Sequence, residues 1–294
     1  MPTLQNKIDF AVILRVKNAN PNGDPLNGNR PRTDYANFGE MSDVSIKRKI
    51  RDRLLERWIA DGKKSDGNMV FVQSDDRKAD DAKSLRARAE AALGKELGGE
   101  KLAELACKTW IDVRTFGQLF ALKSNKKAGK KKDDGSDEEG DTGVSIGIRG
   151  PVTVQSAFSV EPIDVTSLQI TKSVSGEGDG TKRGADTMGM KHRVDKGIYV
   201  FYGSMNPQLA EKTLFSDADA AAIKAVLPRL FENDEAAARP AGSMEVHKVF
   251  WWLHNCKPGQ HSAAKVHRTL AVNADGSFTL TDLPGLTPEI LDGF

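Results

Sequence analysis

The 294-residue chain predicts an α+β fold, with helices packed on one face of a sheet. Three observations predict it. Its β-rich and helical segments come in the order strand, helix, strands, helix, strand. The helical segments place apolar residues at near-helical spacing. The apolar runs between them have the length and β-branched content of strands. That order suits a sheet of ferredoxin or RNA-recognition-motif type, enlarged by insertions.

Ile8–Val16 reads as a buried or half-buried strand. Ser42 or Asp43 caps a helix carrying Val44, Ile46, Ile50, Leu54 and Trp58, and Asp61-Gly62 ends it. Met69–Gln73 suggests a short strand, and Ala79–Trp110 two short helices broken at Gly94, Gly98 and Gly99. Val144–Gln155, Ser156–Gln169 and Gly197–Ser204 are β-rich, and Thr171–Lys196 reads as a long exposed excursion between two strands. Asp217–Phe231 is an amphipathic helix, Met244–Leu253 a last apolar strand, and the tail after His254 is loop-rich. Lys123–Gly143, a run of lysines followed by acids, has almost nothing apolar to bury and reads as a disordered surface loop.

A net charge of +2 is too mild to imply nucleic acid by itself, so clustering must carry any such reading. Met1–Arg57 holds eleven Lys/Arg against seven Asp/Glu, more than the excess of the whole chain. Two cysteines, Cys107 and Cys256, make no disulfide framework and fit a reducing cytoplasm. No stretch looks like a signal peptide or an uncharged membrane span of about 20 residues.

The loop Asn18–Arg32 is rich in Asn and Gly, which suits either tight turns or amides facing a phosphate backbone. Lys47, Arg48, Lys49 and Arg51 form either a solvated helix face or a backbone-binding one. Arg114 and Phe116 fit phosphate contact with base stacking, or equally a core Phe beside an ion-paired Arg. Met188, followed by Lys191, His192 and Arg193, could wedge between bases or sit in a plain loop. Gly176, Gly178 and Gly180 lack the strand-to-helix setting of a nucleotide loop. The spacing of His247, His254, Cys256, His261 and His267 matches no common zinc pattern, so neither metal nor cofactor is expected.

Taken together, Asn18–Pro25, Thr33-Asp34, Val44–Arg51, Asp112–Gly117, Gly150–Gln155 and Thr187–Val194 resemble the CRISPR-associated Cas-seven family. More narrowly they resemble its Csd/Csh branch, the backbone subunit of type I Cascade, of subtype I-C. The resemblance implies one domain over Met1–Phe294, with a modified RNA-recognition-motif palm. It further implies a helical finger insertion near Gly62–Ala106 and a thumb hairpin near Val165–Lys196. Lys123–Asp141 is foreign to that pattern. Guide-RNA contacts would fall to Asn20, Asn22, Arg32, Lys47, Arg48 and Arg51, then to Arg114, Phe116 and Gln155. In the thumb they would fall to Lys191, His192 and Arg193, with Met188 as wedge.

The resulting expectation is a non-catalytic, cytoplasmic scaffold that polymerises head to tail along CRISPR RNA. Its further partners would be target DNA paired to the guide and the other Cascade subunits; no membrane is involved. The rivals are a ribonuclease using Asp24, His192 or His254, and a zinc-stabilised interaction module. On the sequence alone, Lys47→Ala with Arg51→Ala is expected to weaken guide binding and leave the fold intact.

Overall fold

A strand buried on both faces organises the molecule. The computed structural model describes residues 2–64, 66–122, 144–172 and 188–294. The Lys123–Gly143 run and Gly176, Gly178, Gly180 and Thr187 lie outside those residues. β1 (Ile8–Ala19) leads through the paired β2 (Gly23–Asp24) and β3 (Arg30–Pro31) to β4 (Phe38–Met41) and α1 (Asp43–Ala60). An insertion follows: α2 (Leu85–Leu93), α3 (Leu102–Thr109), α4 (Ile111–Phe116) and a hairpin of β5 (Gly117–Leu122) with β6 (Val144–Arg149). The sheet resumes with β7 (Val152–Val154), β8 (Ala157–Pro162), β9 (Val165–Thr171) and the long β10 (Met188–Met205). Next come α5 (Pro207–Thr213), α6 (Asp217–Val226) and β11 (Met244–Leu253). The last elements are α7 (Ala263–His267), β12 (Leu270–Val272), β13 (Phe278–Leu280) and β14 (Glu289–Asp292).

The main sheet runs β14-β11-β1-β10-β8-β4 with antiparallel neighbours, and β7 and β9 also pair with β10. Phe10, Val12, Leu14 and Val16 join Ile46, Ile50 and Leu54 of α1 and Ile223 of α6 in the larger core. Ala11 and Ile13 face the other way, with Ile198, Phe250 and Trp252, beneath Val266, Leu270 and Leu286 of the C-terminal segment. A strand covered on both faces loses its polar alternation, so Ile8–Val16 reads as one apolar run. Opposite Phe10 stands Gly203, where an added Cβ would fall 2.1 Å from the Phe10 ring.

Three expectations are corrected. Met69–Gln73 is not a strand: Met69 makes one bridge to Trp110. The Phe71 and Val72 N–H groups donate to the Asp112 carboxylate instead, at 2.6 and 3.0 Å. Met188–Lys196 is exposed at its tip as expected, but it is the first half of β10 and not a loop, paired with β9 from Met188 to Val194. The C-terminal tail is not merely looped, because α7, β12 and β13 roof the second face and β14 extends the sheet beside β11. The insertion has its own aromatic core of Phe71, Trp110 and Phe120.

The roof is clasped at Asp9, which is fully buried. Its Oδ2 accepts from Lys7 Nζ at 2.8 Å and from His254 Nε2 at 2.9 Å. Nδ1 of His254 accepts from the Gln260 N–H at 2.9 Å, so the imidazole is neutral with its proton on Nε2. Burial pushes the Asp9 carboxyl up, but hydrogen bonds from His254, Lys7 and Ser204 outweigh this and hold it below its ordinary 3.8. A carboxyl depressed by folding contributes stability above its unfolded pKa and loses it as pH falls through the folded value. Asp9→Asn should therefore cost about 3 kcal/mol near neutral pH. Urea titrations should show the wild type losing this advantage below about pH 4.

Candidate nucleic-acid interface

The loop after β1 is shaped by its own amides. Asn18 and Asn29 adopt positive φ (54° and 60°), as does Gly28 at 56°, a conformation Asn and Gly tolerate best. Asn20 is buried and donates to the Asn29 carbonyl at 2.7 Å. Asn22 Oδ1 accepts from the Ser42 N–H at 2.8 Å and its hydroxyl at 3.0 Å, tying the loop to the N-cap of α1. Asp24 accepts from the Leu26 N–H at 3.2 Å and pairs with Arg32 at 3.4 Å. Most of these polar groups hold the turn together; Arg32 stays partly exposed.

The same loop reaches the hairpin. Arg30 Nη1 donates to Ser167 Oγ at 3.1 Å, and Ser167 Oγ lies 2.8 Å from His192 Nδ1. The register pairs His192 with Ser167, Met190 with Gln169 and Met188 with Thr171, so these side chains share one hairpin face. Lys191 and Arg193, opposite Leu168 and Thr166, point to the other. The three consecutive residues Lys191-His192-Arg193 therefore do not act from one surface. Met188 is 60% exposed and Met190 56%. Sequence reading passed over Arg30, Ser167 and Met190 as site residues. The alternation Met188-x-Met190-x-His192 was the signal for Met190, whereas the other two depend on a contact across more than a hundred residues.

The basic helix is an ion-pair hub and not a bare cationic face. Lys47 pairs with Asp43 at 2.9 Å and Arg48 with Asp52 at 2.6 Å and Asp234 at 3.0 Å. Lys49 is buried and bonds Asp234. Arg51 Nε donates to Asp112 at 3.0 Å, and its guanidinium lies 5.0 Å from the Phe116 ring centroid. Phe116 thus seats Arg51, which takes up a face that base stacking would need. Arg114 is buried and donates to both oxygens of Asp219, to Asn68 and to the carbonyls of Gly67 and Cys107. That saturates the guanidinium and leaves no donor for phosphate. Gln155 is exposed, in a cleft with Phe158, Tyr202 and Val272, away from the Asn-rich loop.

The remaining titratable groups are similarly engaged. Both ring nitrogens of His254 are used inside the core. Burial pushes the Cys107 thiol up to about 11. Among the described residues no group of three His, Cys, Asp or Glu is placed to hold a metal, and no helix is long and apolar enough to cross a membrane.

A family model described as CRISPR-associated protein Cas7 matches residues 6–283. The chain belongs to the CRISPR-associated Cas7 family. A protein of Haloferax volcanii called "CRISPR-associated protein Cas7" is 24% identical over 250 residues, covering 82% of this chain and 68% of that relative. Among solved structures, a chain of a "CRISPR RNA-guided surveillance complex, pre-nicking" is 17% identical, with TM-score 0.46, covering 92% of this chain and 84% of that one. A chain of a second "CRISPR RNA-guided surveillance complex", also 17% identical, has TM-score 0.43 and covers 92% and 77%. Both scores are too low for the superpositions to bear on the site. Cas7 membership rests on the sequence.

The ion-pair hub gives a stability prediction. Burial pushes the Lys49 ammonium down to about 8, against the pull of Asp234. Asp234→Ala should strand Lys49 and cost about 3–5 kcal/mol, whereas Lys49→Met with Asp234→Ala should recover most of that loss. Thermal or urea melts of the two variants check it.

Proposed function

We propose that this chain is the guide-RNA-binding backbone subunit of a type I Cascade, of subtype I-C, and that it is not itself a nuclease. Copies stack head to tail along CRISPR RNA, leave sequence reading to base pairing with target DNA, and are capped by other subunits. The observation that carries the reading is the Arg30–Ser167–His192 chain, which joins the loop after β1 to the hairpin of β9 and β10. A strand of RNA laid there would meet Arg30 and Arg32 on the loop and the exposed Met188 and Met190 on the hairpin.

The sheet order β11-β1-β10-β8 is what a ferredoxin-like strand–helix–strand repeat gives, which supports an RNA-recognition-motif palm. The segment about Gly62–Ala106 serves as fingers and the hairpin about Val165–Lys196 as thumb. Contacts pass mainly to Arg30, Arg32, Lys47 and Arg48, with Met188 and Met190 as apolar wedges. Asp24 favours a scaffold over a nuclease, since Leu26 and Arg32 already engage its carboxylate. Arg51 and Arg114 are assigned to folding.

Arg30→Ala with Arg32→Ala should weaken guide-RNA binding and flatten its salt dependence by about 1.4 in log–log slope, at about 0.7 per phosphate. Arg51→Ala should instead lower the melting temperature by exposing the buried Asp112 carboxylate to loss of its partner. An unchanged slope in the loop variant would move the groove elsewhere. Incubation with repeat RNA and with guide-paired target RNA, with and without Mg²⁺, should give no cleavage. Cleavage abolished by Asp24→Ala or His192→Ala would overturn the scaffold reading.

A further inference from the structure

The second face of the sheet carries an arrangement that the guide-binding reading does not use. Lys17 on β1 stands directly opposite Lys196 on β10. Like charges facing each other across a strand pair are destabilising. Among the described residues neither lysine has an ion-pair partner within 4 Å, although Arg15, two residues earlier on β1, is matched by Glu245 at 3.3 Å. Both lysines and Arg15 line an open cavity of about 350 Å³, together with Ile198, Ala274 and the backbone of Val16 and Gly197. Glu161 and Glu245 also line it, so the cations outnumber the anions by three to two.

A second cavity of about 350 Å³ lies farther along the same segments. Val160 follows on from Glu161 along β8, Val200 from Ile198 along β10, and Val272 from Ala274 beside them. The two cavities therefore lie in line along the seam between β8 and β10. The far end is aromatic and amide-bearing: Phe158, 45% exposed, sits opposite Val200, and Tyr202 stacks on His267 at 4.8 Å. Gln155 and Ser156 supply polar atoms there. From Lys196 to Tyr202 the strand covers about 20 Å at roughly 3.3 Å per residue.

The geometry points to a second single-stranded nucleic-acid site along this seam, with phosphates at Lys17 and Lys196 and a base against Phe158. A cationic end and an exposed aromatic end, with Ile198 and Val200 of β10 between them, match a strand that offers phosphates and π-faces in alternation. The unmatched lysine pair then has a physical reason, because a bound phosphate relieves its repulsion. The site lies on the opposite face from α1 and can be occupied together with the guide groove.

The test uses the full chain saturated with unlabelled guide RNA and a fluorescein-labelled oligothymidylate read by anisotropy. Lys17→Ala with Lys196→Ala should weaken DNA binding about tenfold or more and reduce the salt slope by about 1.4. Phe158→Ala should weaken it about tenfold with the slope unchanged. Guide-RNA affinity should stay within about twofold in both, and removal of the like-charged pair should leave the melting temperature equal or higher. Unchanged DNA affinity in the lysine variant overturns the site. Competition by thymidine monophosphate at the same lysines overturns the strand in favour of a free nucleotide. If the wild type binds no guide RNA, the proposed function falls, whereas lysine-dependent DNA binding measured without guide still decides this site.

Discussion

Buried carboxylates that receive the basic side chains of α1 and α4 hold this molecule together. Asp112 joins Arg51 to the backbone of Phe71 and Val72, Asp219 takes Arg114, and Asp234 takes Lys49 and Arg48. Each pair links elements distant in sequence: the insertion to α1, α4 to α6, and α1 to the segment before β11. Buried pairs of this kind add little net stability over an apolar core, yet losing one partner is costly, so they fix which segment docks where.

This use of charge changes the meaning of the basic helix. A run such as Lys47–Arg51 invites reading as a nucleic-acid patch, but internal carboxylates claim most of it. Cationic groups not held by buried carboxylates sit in shorter segments: Arg30 and Arg32 in the loop, the latter paired with the partly exposed Asp24, and Lys17 opposite Lys196 near the base of the hairpin. The Asn-rich loop shows the same division of labour. Its amides build the turn, and the turn presents the arginines.

The two faces of the sheet then take different roles. Helices α1 and α6 cover one face, and at its edge the loop meets the hairpin. The C-terminal segment roofs the other but leaves two cavities beside β8. The Asp9 clasp, through Lys7 and His254, ties that C-terminal segment to β1.

The sequence by itself determined the elements whose signals are local. These are β1 with its apolar run, α1 with Ser42 as N-cap, the two short helices of the insertion, α6, β11, and the glycine- and asparagine-bearing turns. Six ordered segments also marked the family. Which cations remain free was decided only by the tertiary structure, because ion pairing joins Arg114 to Asp219 and Lys49 to Asp234 across more than a hundred residues. Strand alternation separates His192 from its two basic neighbours, and burial on both faces hides whether β1 borders one core or two. Long-range pairing and burial leave no periodic trace in a sequence, and here they divide the residues that bind from those that hold the fold.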